Sequence, residues 1–384
     1  MPSTSDDEFQ ATLAKILHTP LVEGNDIEFL RDGPEIYENK LKAIRNARHS
    51  ITLEIYEFWG EETAGVFAEA LAEQASKGVA VHAIFDFVGS QQAGEEKFTL
   101  MRENGVEVIF YRKPEWYRSS RFNFRTHRKL LVVDGQIGFT GGANIGDAWI
   151  GEADTRYRDN LFKLTGPIVA YLQSAFLENY SLATGKTLLG KNYFPRLEPQ
   201  GEQIMQTVIS SPREGQKRIR TLLLMLFASA ESHIRICTAF FYPDDLLIES
   251  LVAARDRGVE VDILAPGENT PEKWVRYASR NRWQPLLENG VRIHEYQPTN
   301  IHAKMFIIDE AVVSIGSANF HNRSFRLNDE TNVNLFSSSA IQEAITIFTK
   351  DLQEARQITL EEWENRPWRE NFRGLIGNLI GPHL

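Results

Sequence analysis

The sequence has one cysteine, Cys237, so no internal disulfide framework is possible. Cys237 sits in the apolar run from Ile234 to Phe241, the setting of a packing residue rather than a reactive thiol. Basic charge is also scarce. Lys and Arg number 42 against 52 Asp and Glu, a net charge of -10. That disfavours a general nucleic-acid binder, which works by neutralising phosphates. No stretch of about 18 or more uncharged apolar residues occurs, which argues against a membrane-spanning helix. Met1 to Phe9 is polar and acidic and lacks the apolar centre of a signal peptide. There is no zinc-type His/Cys spacing and no H-E-x-x-H, so nothing asks for a metal or another cofactor. Thr184-Gly185-Lys186-Thr187 hints at a phosphate loop, but the glycine needed five residues before Gly185 is Tyr180.

What is present is an ordinary soluble composition over 384 residues, enough for two domains, and one motif that occurs twice. His127-Arg128-Lys129 leads through Leu130 to Val133 into Asp134. His302-Ala303-Lys304 leads through Met305 to Ile308 into Asp309. Both read H-x-K-x-x-x-x-D. Each continues to a glycine step and an asparagine: Gly141-Gly142-Ala143-Asn144, then Gly316-Ser317-Ala318-Asn319. A histidine and a lysine two apart on a strand share one face. The apolar run behind them fits a strand buried on both sides. Asp134-Gly135 is a strong hairpin-turn signal, and Asp309-Glu310 a weaker one. Each copy thus predicts a hairpin in a buried sheet, delivering an imidazole, an ammonium and an amide near one edge. A single H-x-K would be an unremarked strand edge; two copies with matching sequels are not.

The surrounding order repeats as well. In the first half, strands are expected at Asp26 to Leu30, Ile51 to Trp59, Val79 to Asp86 and Val106 to Tyr111. Helices are expected from Gly33 to about Arg48, Thr63 to Ser76 and Phe98 to Asn104. In the second half, Met205 to Ser210, Arg213 to Ser229 and Ile234 to Phe241 match the first strand, helix and second strand. Ala254 to Val261 and Leu287 to Val291 match the Gly78 and Gly105 helix ends, at offsets near 175 to 185 residues. The boundaries implied are an amphipathic N-terminal segment (1–25), a first domain (26–195), a second (196–366) and an amphipathic C-terminal helix (367–384). Strands alternating with helices imply a largely parallel sheet covered on both faces.

The paired motifs resemble those of the phospholipase D superfamily. The phrases Gly141 to Gly146, Arg158-Asp159, Asn322-Arg323-Ser324, Leu327 to Glu330 and Leu360 to Trp363 are most similar to its bacterial cardiolipin synthases. The resemblance runs from about Ile27 to Pro367. It departs at the N-terminus, where many such synthases carry two membrane spans. It implies an α/β fold of two tandem phospholipase D-like α-β-α domains with pseudo-two-fold symmetry and mixed, largely parallel sheets. Both motifs would then meet in one cleft. His127 would attack phosphorus as the nucleophile and form a phosphohistidine, and His302 would serve as general acid and base. Lys129, Lys304, Asn144 and Asn319 would hold the non-bridging oxygens. Asp159 and Glu330, which lie 32 and 28 residues after His127 and His302, would orient the histidine rings. Asp134 and Asp309 complete the motifs, although their place at a turn suits a structural role. Arg125, Gly142, Ser317 and His321 are candidate substrate contacts.

The substrate is less legible. Arg112 to Lys129 interleaves seven cations with Trp116, Tyr117, Phe122 and Phe124, which suits an anionic headgroup at a membrane interface and equally single-stranded nucleic acid. Lys273 to Trp283 is a smaller such cluster. Trp368, Phe372, Leu375, Ile376, Leu379 and Ile380 follow helical spacing, as an in-plane membrane helix or a packed terminal helix would. Phe9, Leu13, Ile16 and Leu17 pose the same choice at the N-terminus. The resemblance implies phosphatidyl transfer between phosphatidylglycerol molecules by a cytoplasmic protein peripheral to the membrane, with no nucleic-acid partner. Rival expectations are a hydrolase releasing phosphatidic acid, a nuclease or other phosphodiesterase, and a non-enzymatic membrane binder.

Overall fold

The computed structural model describes residues 3–4, 6–113, 123–370 and 373–374. The first half contributes β1 (Val22–Arg31), β2 (Ser50–Ile55), β3 (Ala80–Asp86), β4 (Glu107–Tyr111), the short β5 (Arg125–Thr126), β6 (Leu130–Val133), β7 (Ile137–Gly141) and β8 (Asn160–Thr165). The second contributes β9 (Gln203–Ser210), β10 (His233–Cys237), the short β11 (Phe241–Tyr242), β12 (Glu260–Pro266), β13 (Arg292–Tyr296), β14 (Met305–Ile308), β15 (Val312–Gly316), the short β16 (Phe320–His321), β17 (Asn328–Leu335) and β18 (Ala355–Ile358).

One sheet runs through both halves in the order β18-β13-β12-β10-β14-β15-β17-β9-β1-β8-β7-β6-β2-β3-β4. Read outward from the β9–β1 seam, the two sides repeat the same sequence of strands, which is a pseudo-two-fold relation. The sheet is mixed. Parallel ladders link β2, β3 and β4 on one side and β10, β12 and β13 on the other. The strands nearer the seam are antiparallel, because the motif hairpins β6–β7 and β14–β15 reverse the chain. Asp134 and Gly135 both take positive φ at the first turn, as a tight hairpin of this hand requires, and Asp309 does so at the second.

Apolar packing follows the same plan. Helices Asp32–Arg45 and Glu62–Ser76 bury Ile36, Phe67 and Leu71 against the first half of the sheet. Helix Arg218–Ser229 buries Leu222, Leu226 and Phe227 against the second. On the opposite face, helices Val169–Thr184 and Ser338–Gln353 contribute Leu172, Phe176, Ile341 and Phe348 to one cluster shared by both halves. Each such side chain stabilises by roughly 1.5–3 kcal/mol on burial, so the shared cluster fixes the halves against each other.

The N-terminal helix forms over Asp7–Leu17 and buries Phe9, Leu13 and Leu17 in the second-half core, while Ile16 is exposed. That part of the chain packs on the body rather than on a bilayer. Of the C-terminal stripe, Trp368 is described and is exposed; Phe372, Leu375, Ile376, Leu379 and Ile380 lie outside the described residues. So do Trp116, Tyr117, Arg118, Arg121 and Phe122 of the basic segment.

Candidate active site

Both motif histidines line one cleft of about 550 Å³ between the halves. The chain delivers each by a crossed pairing. β5 runs parallel to the start of β17, and the His127 N–H donates to the Asp329 carbonyl at 2.9 Å. In the other half, Arg158 forms a lone bridge with Ile301, and the His302 N–H donates to the Arg158 carbonyl at 2.7 Å. The residue after each of those carbonyls is a carboxylate. Glu330 therefore reaches His127, with its oxygens 3.0 Å from Nδ1. Asp159 reaches His302, with Oδ2 2.7 Å from Nδ1.

This corrects the expected wiring. Asp159 and Glu330 were expected to serve the histidines that precede them, but each serves the histidine of the other half. The cause is the seam: the strand that follows each hairpin, β8 or β17, starts beside the motif of the other half. A buried pair from Arg158 to Asp351, with contacts of 2.9 and 2.7 Å, clamps the same crossing.

The carboxylates are held differently. The Trp149 indole N–H donates to Asp159 Oδ2 at 2.8 Å, and the Asn160 N–H to Oδ1. Burial would raise Asp159, but His302, Lys304 and the indole outweigh it and hold the acid below the usual carboxylate range. Glu330 accepts from the Ser317 and Ser324 hydroxyls at 2.5 and 2.6 Å, yet burial keeps it above the ordinary value. Burial, followed by the cations Lys129 and Lys304, pushes His127 well down. His302 is lowered to about 4 by burial and then Lys304, against the opposing pull of Asp159. With Nδ1 hydrogen-bonded to a carboxylate, each ring can present Nε2 as a lone pair.

Lys129 donates to the His127 carbonyl at 2.9 Å and lies over the Tyr56 ring; Lys304 donates to the His302 carbonyl at 2.5 Å. Both ammonium groups are buried and pushed down, Lys129 to about 7 and Lys304 to about 8, mainly by burial. Asn144 and Asn319 line the cleft, as does His321, whose Nδ1 accepts from the Arg323 N–H.

Several expected site residues lie elsewhere. Asp134 accepts backbone N–H bonds from Arg48, His49 and Ser50, and Asp309 from Glu231, Ser232 and His233. Both sit seven residues along a strand from their histidines, roughly 20 Å, so they fasten the hairpin rather than meet a substrate. Arg125 is buried beside Asp86, 3.4 Å away, and does not line the cleft. Gly142 has no room for a side chain: a Cβ would fall 2.2 Å from Asp159 Oδ1. Ser317 is spent on Glu330. Within the basic segment, Arg112, Arg128 and Lys129 are internal, Arg128 being held by Ala175, Glu178 and Ser211.

The cleft also contains groups that the motifs did not mark. Tyr56 packs edge-on against His127, and Tyr157 stacks on His302 with centroids 6.1 Å apart. Trp149 packs edge-on against the same ring. Glu57 is partly buried in the wall, where its N–H donates to Asn144 Oδ1 at 3.2 Å and Asn144 Nδ2 donates to Glu57 Oε2 at 2.9 Å. Tyr56 and Glu57 followed an apolar strand and read as its continuation; a carboxylate in such a run was the available signal.

A family model described as "Cardiolipin synthase, PLD-like domain" matches residues 41–178 and 223–352. A cardiolipin synthase of Geobacillus sp. (strain WCH70) is 34% identical over 98% of this chain and 77% of its own. The major cardiolipin synthase of Bacillus subtilis (strain 168) is 32% identical over 96% and 77%. Among solved structures, phosphatidylserine synthase from Haemophilus influenzae Rd KW20 superposes with a TM-score of 0.75 over 98% of this chain and 100% of that one, at 15% identity, a likeness of fold.

Proposed function

Because the chain belongs to the cardiolipin synthase, phospholipase D-like family, we propose that this phosphatidyltransferase moves a phosphatidyl group between phosphatidylglycerol molecules through a covalent phosphohistidine. The observation that carries the reading is the crossed arrangement of His127 on Glu330 and His302 on Asp159 in one cleft.

In the first step His127 Nε2 attacks phosphorus. The bond from phosphorus to the glycerol oxygen breaks, and His302 gives that oxygen its proton. In the second step His302 takes the proton of the incoming hydroxyl, whose oxygen attacks phosphorus as the bond to His127 breaks. Lys129, Lys304 and Asn319 surround the non-bridging oxygens as charge shifts, while the amide of Asn144 is engaged at both ends by Glu57. The assignment of roles is supported by the carboxylates. Asp159, held low, favours a charged partner and suits the acid, whereas His127 beside a raised Glu330 stays neutral and suits the nucleophile.

Membrane contact is supported by exposed aromatic and cationic residues near the cleft. Helix Lys273–Arg280 follows the cleft residue Glu272 and exposes Trp274. Residues Arg366 and Arg373 tie the chain's end to Asn281 and Tyr277, bringing exposed Trp368 and Arg369 to that region. Tryptophans among cations suit an anionic lipid surface on the cytoplasmic face, with the protein peripheral to it.

The test is mass spectrometry of lipids after incubation with phosphatidylglycerol vesicles, with His127→Ala as control. Cardiolipin and glycerol, absent from the control, are the expected products. Phosphatidic acid alone would make the protein a hydrolase, and no lipid product would overturn the reading.

A further inference from the structure

The pseudo-two-fold relation of the cleft fails beside the two asparagines. After β2 the chain leaves the sheet and Phe58 bridges Ile145; after β10 it does the same, and Phe241 pairs with Phe320. Glu57 and Phe240 each precede that contact by one residue, as Asn144 and Asn319 do on the partner strand. One half thus places a partly buried carboxylate where the other places a phenyl ring, and both line the cleft. The amides differ accordingly. Asn144 is held at both ends by Glu57, whereas Asn319 Oδ1 is buried with no hydrogen-bond partner among the described residues.

A partly buried carboxylate repels a phosphate anion and seeks hydrogen-bond donors. It therefore belongs to the part of the cleft that the alcohol, not the phosphate, occupies. Its neighbours agree. Asn144, which Glu57 holds, follows Gly142 by two residues, and a Cβ at Gly142 would lie 2.9 Å from the His302 carbonyl oxygen; Tyr157, stacked on His302, lines the same cleft. On the His127 side stand Tyr56 and the guanidinium of Arg323, the sign that suits phosphate. Lys129 and Lys304 already supply positive charge to Glu57. A neutral hydroxyl donor fits beside them better than another cation does.

We propose that Glu57, with Tyr157, forms the alcohol subsite beside His302 and selects a polyol: a glycerol-type alcohol with a second hydroxyl for the carboxylate to accept. Glu57 is thus a specificity-determining residue. The inference rests on the phosphatidyltransferase reading, because it takes His302 as the group that handles the alcohol's proton.

The experiment presents phosphatidylglycerol vesicles with deuterated glycerol, propan-1-ol and ethanolamine in competition, in water, and compares products from the wild type, E57Q and E57F, the label marking phosphatidylglycerol formed by exchange. The wild type is expected to favour glycerol. E57Q should lower the glycerol-to-propanol product ratio by about tenfold or more, as a site built for a hydroxyl does when its acceptor is weakened. E57F, which copies the second half, should remove the preference. Product ratios come from the folded enzyme alone, so partial misfolding does not disturb them; should neither variant fold, E57D reports the same ratio with a smaller change. An unchanged ratio alongside lower total turnover would reduce Glu57 to a support for Asn144 and overturn the proposal. A wild-type preference for ethanolamine over glycerol that is lost in E57Q would overturn the polyol assignment. No lipid product from the wild type would overturn the underlying reading instead.

Discussion

Asp159 Oδ2 lies 2.7 Å from Nδ1 of His302, a residue 143 positions later in the chain and in the other half of the fold. Glu330 stands in the same relation to His127. Each half therefore prepares the histidine that the other half presents.

The crossing predicts which variants share a phenotype. Asp159→Asn is expected to act like a His302 defect and Glu330→Gln like a His127 defect, each lowering kcat by about 10³-fold. Asp159→Asn should let a covalent phosphorylated protein accumulate, and Glu330→Gln should not. Intact-protein mass spectrometry after brief exposure to substrate reads this directly. Adduct in Glu330→Gln and none in Asp159→Asn would reverse the two histidine roles.

The turn aspartates are expected to affect stability and not chemistry. Asp134→Asn and Asp309→Asn weaken charge-assisted bonds to several backbone N–H groups, at a cost of about 1–3 kcal/mol each. Turnover per folded molecule should hold. Asp309 is held below its ordinary value: burial opposes this, but bonds from His233, Thr4 and Ser232 outweigh it. A depressed folded value contributes stability above the unfolded value near ~3.9 and loses it as pH falls through the folded one. Urea denaturation at pH 7 and below pH 4 should therefore separate wild type from Asp309→Asn only at the higher pH.

Anion binding should draw in a proton. His302 is lowered to about 4 in the empty cleft, so at pH 6 it is neutral, yet the first chemical step needs it charged. A bound phosphate-like anion raises it, because opposite charge favours the protonated form. Calorimetry of vanadate binding at pH 6, in buffers of different ionisation enthalpy, should show uptake approaching one proton per site, and none in His302→Ala. Proton release in the wild type would contradict this.

Trp274→Ala combined with Trp368→Ala should weaken binding to phosphatidylglycerol vesicles by about tenfold while leaving turnover of a soluble short-chain substrate intact. Vesicle flotation and a short-chain assay together check it. Equal loss in both assays would place these residues in folding rather than at a surface.

The motifs were legible in the sequence because they repeat, and so was the mixed α/β class, because strand and helix signals alternate in both halves. The positions of Asp159 and Glu330 were legible through the family resemblance, but their partners were not. Pairing across a seam leaves no periodicity in either half; it follows from β9 and β1 lying side by side. Arg125, Gly142 and Ser317 stand close to the motifs in sequence, and proximity suggested substrate contact. In the fold they face inward, toward Asp86, Asp159 and Glu330. Glu57 was hidden because the run from Ile51 to Trp59 reads as one strand, whereas the strand ends at Ile55 and the chain turns into the cleft.

A chain bearing one copy of the motif would carry a histidine with no carboxylate on its ring, since the acid beside each histidine comes from across the seam. Two such chains, joined edge to edge along the strand that β1 and β9 both represent, would supply each other. In such a pair neither protomer could act alone, and the two sides of the cleft would be identical. With both copies in one polypeptide that identity is no longer required, and Glu57, where the other half has Phe240, is one place where the sides differ.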